Sequence, residues 1–498
     1  MARYDLVVRG AAVTRHDDPE PRVADIGIVG GRIAAVGELA GSDADDSLDA
    51  SGLIAVPGVV DAHQHWGIYN PIEIDAVVES RACAQGGVTT SINYMRTGQY
   101  YLNRSGPYRT FFPEVLERTE GRPLVDYAFH LAPMMQQHID EIPSIIDDFG
   151  VTSFKIFMFY GSHGLHGRSA DQSSFLMTPP EELYNLAHFE FIMRAIEAAR
   201  RDRPALADRI SLSLHCETPE IMTAYTKLVE EAGELKGLPA YSASRPQHSE
   251  GLAVTIASYL AYETGLANIN LLHLSSEKAI DAAMKMAATF PAVDFRREVT
   301  IGHLLADCDS AVGVGGKVNP PLRPRGDVEA LWEHVLRGNV SWVASDHACC
   351  RDEVKFGDPR DDVFLAKSGF GGTEYLLAGL ISEGRRRGLG YDAVARMLSW
   401  EPARRFGLDH KGAIAEGFDA DIALVQNDAP WVVHAADSRS AQEYTPFENM
   451  TLEARVLHTL LRGEPVLRDA KVVGAPRGRY LDRTHPQPET QTQEATLP

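Results

Sequence analysis

Short apolar runs separated by turn signals open the chain. Residues 5–8 alternate weakly, residues 24–29 read as an apolar strand, and Gly30-Gly31 marks a turn before a further run at 32–36. Residues 40–49 are acidic and contain Ser and Gly, which predicts a loop. Residues 53–56 then lead through Pro57-Gly58 into Val59-Val60-Asp61-Ala62-His63. From there to about residue 400 the rhythm changes, as apolar strand-like runs alternate with helix-like stretches. The pairs are 153–159 with 180–201, 210–214 with 220–235, and 269–274 with 276–289, and a late strand follows at 341–344. This alternation predicts βα units and a parallel sheet. After residue 411 strand signals return at 421–425, 431–433 and 456–461, the last before an Arg462-Gly463 turn.

The two strand-rich ends resemble each other, and neither is long enough to bury a large core alone. The pattern therefore predicts an α/β fold, a (β/α)8 TIM-like barrel with a small β-sandwich domain formed from both chain ends. The expected division is residues 1–57 and 411–484 for the sandwich, 58–410 for the barrel, and a flexible tail at 485–498. The length of 498 residues agrees, because single cores stop growing at roughly 250–300 residues. Two inserts, at 96–118 and 161–180, each follow a strand expected to end at the catalytic face. The first is aromatic-rich and the second rich in Gly, Ser and His. Both are candidate substrate lids, or loops that pack on their neighbours.

A composition of 44% hydrophobic and 23% charged residues is ordinary for a globular protein. The formal net charge of −21 argues against nucleic acid or an anionic membrane as partner, because both call for a basic surface. Five cysteines, none in a CxxC pair, argue against a disulfide framework and fit a reducing cytoplasm. No apolar run approaches the length of about 18 residues expected of a membrane span, and the N-terminus has no long apolar stretch of the secretory kind.

Candidate chemistry sits at the ends of the predicted barrel strands. His63-Gln64-His65 places two imidazoles on one side of a strand, where both can reach one metal. An HxH also occurs on surface strands, but here an apolar strand precedes it and a loop follows. Lys155 lies inside a continuous apolar run, where burial favours the neutral amine. A neutral amine reacts with carbon dioxide to give a carbamate, an anionic ligand able to bridge two cations. The alternative is a lysine that snorkels outward or pairs with an acid. His215 and His273 end apolar strands, and Asp346 ends a late one. Singly, these read as structural histidines and a helix cap. Together, six candidate ligands at successive strand ends point to a metal centre.

The order HxH, Lys, His, His, Asp resembles the amidohydrolase superfamily. More narrowly it is similar to the cyclic amidohydrolases: dihydropyrimidinase/hydantoinase, allantoinase and dihydroorotase. The resemblance spans nearly the whole chain, through Lys317-Val318-Asn319-Pro320-Pro321-Leu322-Arg323, Gly417-Phe418-Asp419-Ala420-Asp421 and Tyr444-Thr445-Pro446-Phe447-Glu448. It implies hydrolysis of a cyclic amide C–N bond with two divalent metal ions per subunit. Zinc is the usual occupant, with manganese, cobalt or iron as alternatives. His63, His65 and Asp346 would hold the inner metal and His215 and His273 the outer one. Lys155, modified by CO2 to N6-carboxylysine, would bridge them. A metal-bridging hydroxide would attack the ring carbonyl, with Asp346 moving the proton to the departing nitrogen.

Tyr160, five residues after Lys155, matches a tyrosine that donates to the oxyanion in the hydantoinase-like branch. Asn319 is placed to hold the ring's imide edge. The branch features conflict. Asn319 looks like dihydroorotase, yet no arginine closely follows the HxH, whereas Ser345–Cys350 and Phe370-Gly371-Gly372 resemble allantoinases. The 161–180 insert, with Trp66 and the 96–118 insert, suggests a substrate larger or less polar than dihydrouracil. A small-molecule partner, a homo-oligomer (dimer or tetramer) with contacts near residues 444–447 and through the tail, and a cytoplasmic location complete the expectation. The competing class is a dihydropyrimidinase-like scaffold that has lost its ligands, and all six are present in this sequence.

Overall fold

The computed structural model describes residues 3–39, 41, 43–98, 101–158 and 184–484. Its strands are, in order, β1 (Tyr4–Arg15), β2 (Asp18–Val29), β3 (Arg32–Gly37), β4 (Ala44–Asp49), β5 (Ile54–Pro57) and β6 (Val59–Gln64). Then come β7 (Val88–Met95), β8 (Asp126–Leu131), β9 (Ser153–Phe157), β10 (Ser211–His215), β11 (Asn268–Leu271), β12 (Asp294–Thr300) and β13 (Trp342–Ala344). The chain ends with β14 (Ile422–Gln426), β15 (Trp431–Val432), β16 (Thr451–Leu452), β17 (Arg455–Leu461), β18 (Glu464–Arg468) and β19 (Lys471–Val472).

Strands β6 to β13 form one eight-stranded sheet in sequence order, with every neighbouring pair parallel. A parallel bridge from Gln64 to His347, with the His65 amide donating to the His347 carbonyl at 2.9 Å, joins the last strand to the first. This is the expected (β/α)8 barrel. Its strands are almost wholly buried, as they must be with side chains inside the barrel and helices outside. That burial is why β9, Ser-Phe-Lys-Ile-Phe, reads as a near-continuous apolar run.

The chain ends supply a second sheet, in the order β19-β18-β17-β14-β5-β1-β2-β3, with β4 added along β1. The antiparallel pairing of β5 with β14 stitches the two ends together. Val8, Ala11, Ile26, Ile28, Ile422 and Leu424 belong to its separate apolar core. Three expectations are corrected. Residues 44–49 form a strand parallel to β1, although they were expected in a loop. Its side chains are mostly exposed and carry no apolar alternation, so only the ladder to β1 defines it. Residues 431–432 form a separate ribbon with residues 451–452 and stay out of the main sheet. Tyr444 to Phe447 are buried within their own chain, where Phe447 packs on Phe370 and Tyr375, so they offer no surface to a neighbouring subunit.

The sheet meets the barrel at the N-terminal mouth of the strands. Gly58 passes so close to β7 that a Cβ there would lie 2.3 Å from Thr89 Oγ1 and 2.8 Å from Asp421 Cβ. Only glycine permits that approach. Beside it, Lys411 Nζ lies 2.6 Å from Asp421, 2.8 Å from Asp126 and 3.3 Å from Asp419, and Arg462 also pairs with Asp126. The five cysteines are free and buried, as the absence of a disulfide framework required. Among the described residues no helix is long and apolar enough to cross a membrane.

Candidate active site

All six predicted ligands are buried and meet at the C-terminal mouth of the barrel. His63 belongs to β6 and His65 lies just beyond it; Lys155 comes from β9, and His215 ends β10. His273 and Asp346 stand two residues past β11 and β13. Nε2 of His63 and Nε2 of His65 approach the same Asp346 oxygen, at 3.1 and 3.2 Å. Lys155 Nζ is 3.3 Å from His63 Nε2. The His215 and His273 rings lie 4.4 Å apart, and His273 is 5.4 Å from His63. Donor atoms of His63, His273 and Asp346 all fall within 4.8 Å of one another.

Backbone strain holds two of these residues in place. His273 has φ 33° and Asp346 φ 52°, in the left-handed region that side chains disfavour. The surroundings impose it: the His273 amide donates to Glu298 at 3.1 Å and the Leu274 amide to the Glu298 carbonyl at 2.9 Å. Such strain collects at sites that must aim a side chain.

The electrostatics suit cation binding. Burial pulls His63, His65 and His273 below the usual imidazole value and His215 down to about 4, so all four are neutral and offer a lone pair at neutral pH. Burial also lowers Lys155 to about 8, although Asp346 and Glu298 oppose the shift. Burial alone would raise Asp346, but its close contacts with His63 and His65 and the nearby Lys155 ammonium outweigh it and hold the carboxylate below its usual range. Nδ1 of His273 is buried and finds no hydrogen-bond partner among the described residues. A nitrogen and oxygen donor set with an orphaned imidazole nitrogen fits divalent cations.

A supporting shell was not foreseen. Glu298 takes His63 Nδ1 at 2.7 Å and accepts from Trp342 Nε1 at 2.8 Å. Burial pushes this carboxyl up to about 8. A cation on the far side of His63 would favour its ionised form. Glu217 holds His215 Nε2 at 2.7 Å and pairs with buried Arg245 at 2.5 Å. Asp61 accepts from Ser345 Oγ at 2.6 Å and Gln64 Nε2 at 2.7 Å, which anchors the segment carrying Asp346. The i, i+2 spacing of Asp61 with His63, and of Glu217 with His215, was the available signal.

A second buried trio, Glu79, His347 and Cys349, is instead a brace. Nδ1 of His347 accepts from the Gly372 and Thr373 amides at 3.3 and 3.4 Å, so Nε2 carries the proton given to Glu79 at 2.7 Å. A cation at Nε2 would leave a protonated Nδ1 facing two N–H groups.

The cavity above the ligands is lined by His65, Tyr69, Arg96, Tyr101, Phe157, Asn319 and Ser368, among others. Asn319 thus reaches the cavity, where its Oδ1 accepts from Tyr241 at 2.5 Å. Trp66 does not. Its indole is buried in the core and donates to Gln64 Oε1 at 3.0 Å, so its expected substrate contact is corrected. The residue after His65 simply turns into the protein. Among the described residues of the aromatic insert, only Arg96 and Tyr101 line the cavity, whereas Tyr108, Phe111 and Phe112 pack in the core. Tyr160 and residues 161–180 lie outside the described residues.

Comparison with known proteins agrees with this geometry. The amidohydrolase family model matches residues 256–466. An allantoinase from Rubrobacter xylanophilus is 33% identical over 490 residues, covering 97% of this chain and 98% of that protein. This chain belongs to the amidohydrolase family. Within it, the chain falls in the cyclic amidohydrolase branch. An allantoinase from Salmonella newport is 28% identical over 93% of this chain and 95% of its own. Among solved structures, dihydropyrimidinase from Brevibacillus agri superposes with a TM-score of 0.82 at 25% identity, covering 97% and 99% of the two chains. L-hydantoinase from Arthrobacter aurescens gives 0.82 at 25% identity, over 96% and 99%. For an amidohydrolase, the barrel mouth is the expected place for chemistry, and the buried ligand set lies there.

Proposed function

We propose that this amidohydrolase opens a cyclic ureide of the allantoin or hydantoin type, using two divalent cations held by His63, His65, Lys155, His215, His273 and Asp346. That it is a hydrolase acting on a cyclic amide follows from its family and from the activities its relatives are named for. The observation that carries the finer reading is the convergence of neutral imidazoles, a lysine loosened by burial and an ionised aspartate at one barrel mouth. All six ligands being present opposes the scaffold reading.

His63, His65 and Asp346 would hold the inner cation and His215 and His273 the outer one. Zinc is the first choice, with manganese, cobalt or iron also compatible with such donors. When bound, the cations would supply Lewis acidity and a water that ionises near neutral pH. Lys155, as the neutral amine, would add to CO2 and release one proton, giving N6-carboxylysine, which would be a ligand shared by the two cations. Asp346 accepts the proton of the attacking water and delivers it to the departing ring nitrogen. The Tyr160 hydroxyl donates to the developing oxyanion, and Asn319 holds the imide edge of the ring. Glu298 and Glu217 orient the imidazoles of His63 and His215.

The same reading divides the chain into a sandwich from residues 1–57 and 411–484, a barrel from 58–410 and a tail from 485. It makes the enzyme a cytoplasmic dimer or tetramer, which light scattering on the purified protein checks. Activity is tested on metal-reconstituted protein in bicarbonate against dihydrouracil, hydantoin, 5-aryl hydantoins, allantoin, dihydroorotate, succinimide and phthalimide. Turnover of a ureide ring, abolished in Lys155→Ala, is expected. Turnover confined to the imides, or none at all, would contradict the ureide assignment.

A further inference from the structure

Arg96 is the first residue beyond β7, is almost fully buried and lines the active-site cavity. Its Nη1 donates to the Thr97 carbonyl at 2.9 Å, and its guanidinium carbon lies 5.1 Å from the centre of the Tyr101 ring. The Tyr101 hydroxyl is in turn 3.3 Å from Nδ1 of His65. A permanent positive charge is thus held on an aromatic platform, one ring away from a ligand of the inner cation. The backbone bond and the ring contact restrict the guanidinium before any substrate arrives, which reduces the ordering cost of binding.

The rest of the lining sets the chemistry. Ile68, Tyr69, Phe157 and Val318 give apolar walls, so an anionic group entering this space would leave water and meet the arginine in a low-dielectric setting. A planar guanidinium fork matches a carboxylate with two parallel N–H···O bonds. We propose that Arg96 is a specificity-determining residue that grips a carboxylate on the exocyclic arm of the substrate. The preferred substrate is then a cyclic ureide with an acidic side chain, an inference that rests on the ring-opening reading above. Hydrogen bonding of the same fork to a neutral ureido or amide arm is the competing outcome.

The test compares hydantoin-5-acetic acid with hydantoin-5-acetamide, which has the same shape and no charge, on the metal-loaded enzyme. Wild type is expected to favour the acid. In Arg96→Met the acid-to-amide ratio of kcat/KM should fall about 10–100-fold, the range of one charge-assisted pair, mainly through KM. Arg96→Lys should retain part of the preference, and its thermal melt controls for folding. Equal losses for acid and amide in Arg96→Met, or a wild-type preference for the amide, would overturn the proposal. If wild type opens neither these rings nor hydantoin nor allantoin, the ureide reading fails by itself. Calorimetric binding of the acid to wild type and Arg96→Lys then decides on Arg96: weaker binding to the variant supports the proposal, while equal or no binding overturns it.

Discussion

The two mouths of the barrel each bury a cluster of charged and polar groups, and the clusters are opposites. At the N-terminal mouth Lys411 and Arg462 meet Asp126, Asp419 and Asp421. The pairing is internal and complete enough that the acids hold the Lys411 ammonium above its usual value, although burial opposes them. At the C-terminal mouth the groups turn electron pairs toward each other. Four imidazoles are kept neutral, and the one lysine among them is pulled down to about 8. The first cluster is finished by the chain's own cations and joins two sheets. The second, on the proposed reading, is finished by cations from outside. Burial has the same cost at both ends, and the identity of the partner separates structure from function.

Asp346 should break the comparison most severely. Asp346→Asn keeps the shape but removes the proposed proton carrier, and kcat/KM for the ring substrate should fall about 10²–10⁴-fold. Lys411→Met attacks the other mouth. It leaves buried carboxylates without their cation and should cost about 3–5 kcal/mol in urea unfolding, with no direct effect on the reacting groups. The sign with pH follows from Asp421, which burial already raises above its usual value. An acid with a raised folded pKa is tolerated while protonated and penalised as pH rises through that value. The loss relative to wild type should therefore be larger at pH 8 than at pH 4.5.

A smaller effect separates ligands from their supports. Glu298→Gln keeps a group near His63 but removes the charge, and metal affinity should drop about 10–100-fold in a chelator competition. Trp66→Phe loses the bond to Gln64 and leaves a gap in the core, and should lower stability by about 2 kcal/mol. Its KM should match wild type, since the indole does not line the cavity. A large rise in KM would restore Trp66 to the substrate site.

The ligand set was legible because a parallel barrel forces its active residues to strand ends, where a polar side chain closes an apolar run. His63, His215, His273 and Asp346 stand out in that way, and Lys155 as a lone charge inside such a run. Strand β12, Asp-Phe-Arg-Arg-Glu-Val-Thr, was not legible, because its charged residues read as surface; Glu298 within it is nevertheless wholly buried. Strand β4 was hidden for the opposite reason, as an exposed edge that needs no apolar face. The substrate-facing residues were legible least of all. Trp66 and Arg96 both lie near strand ends, and only the folded chain reveals that one turns into the core and the other into the cavity.

The central claim is that the C-terminal cluster is a two-cation site and the N-terminal one is not. Metal content per chain, measured by mass spectrometry after reconstitution and desalting, tests it directly. About two divalent ions are expected in wild type and in Lys411→Met, and fewer in a His215→Ala, His273→Ala double variant. Wild type that retains no metal, or a double variant that retains as much as wild type, would contradict the account.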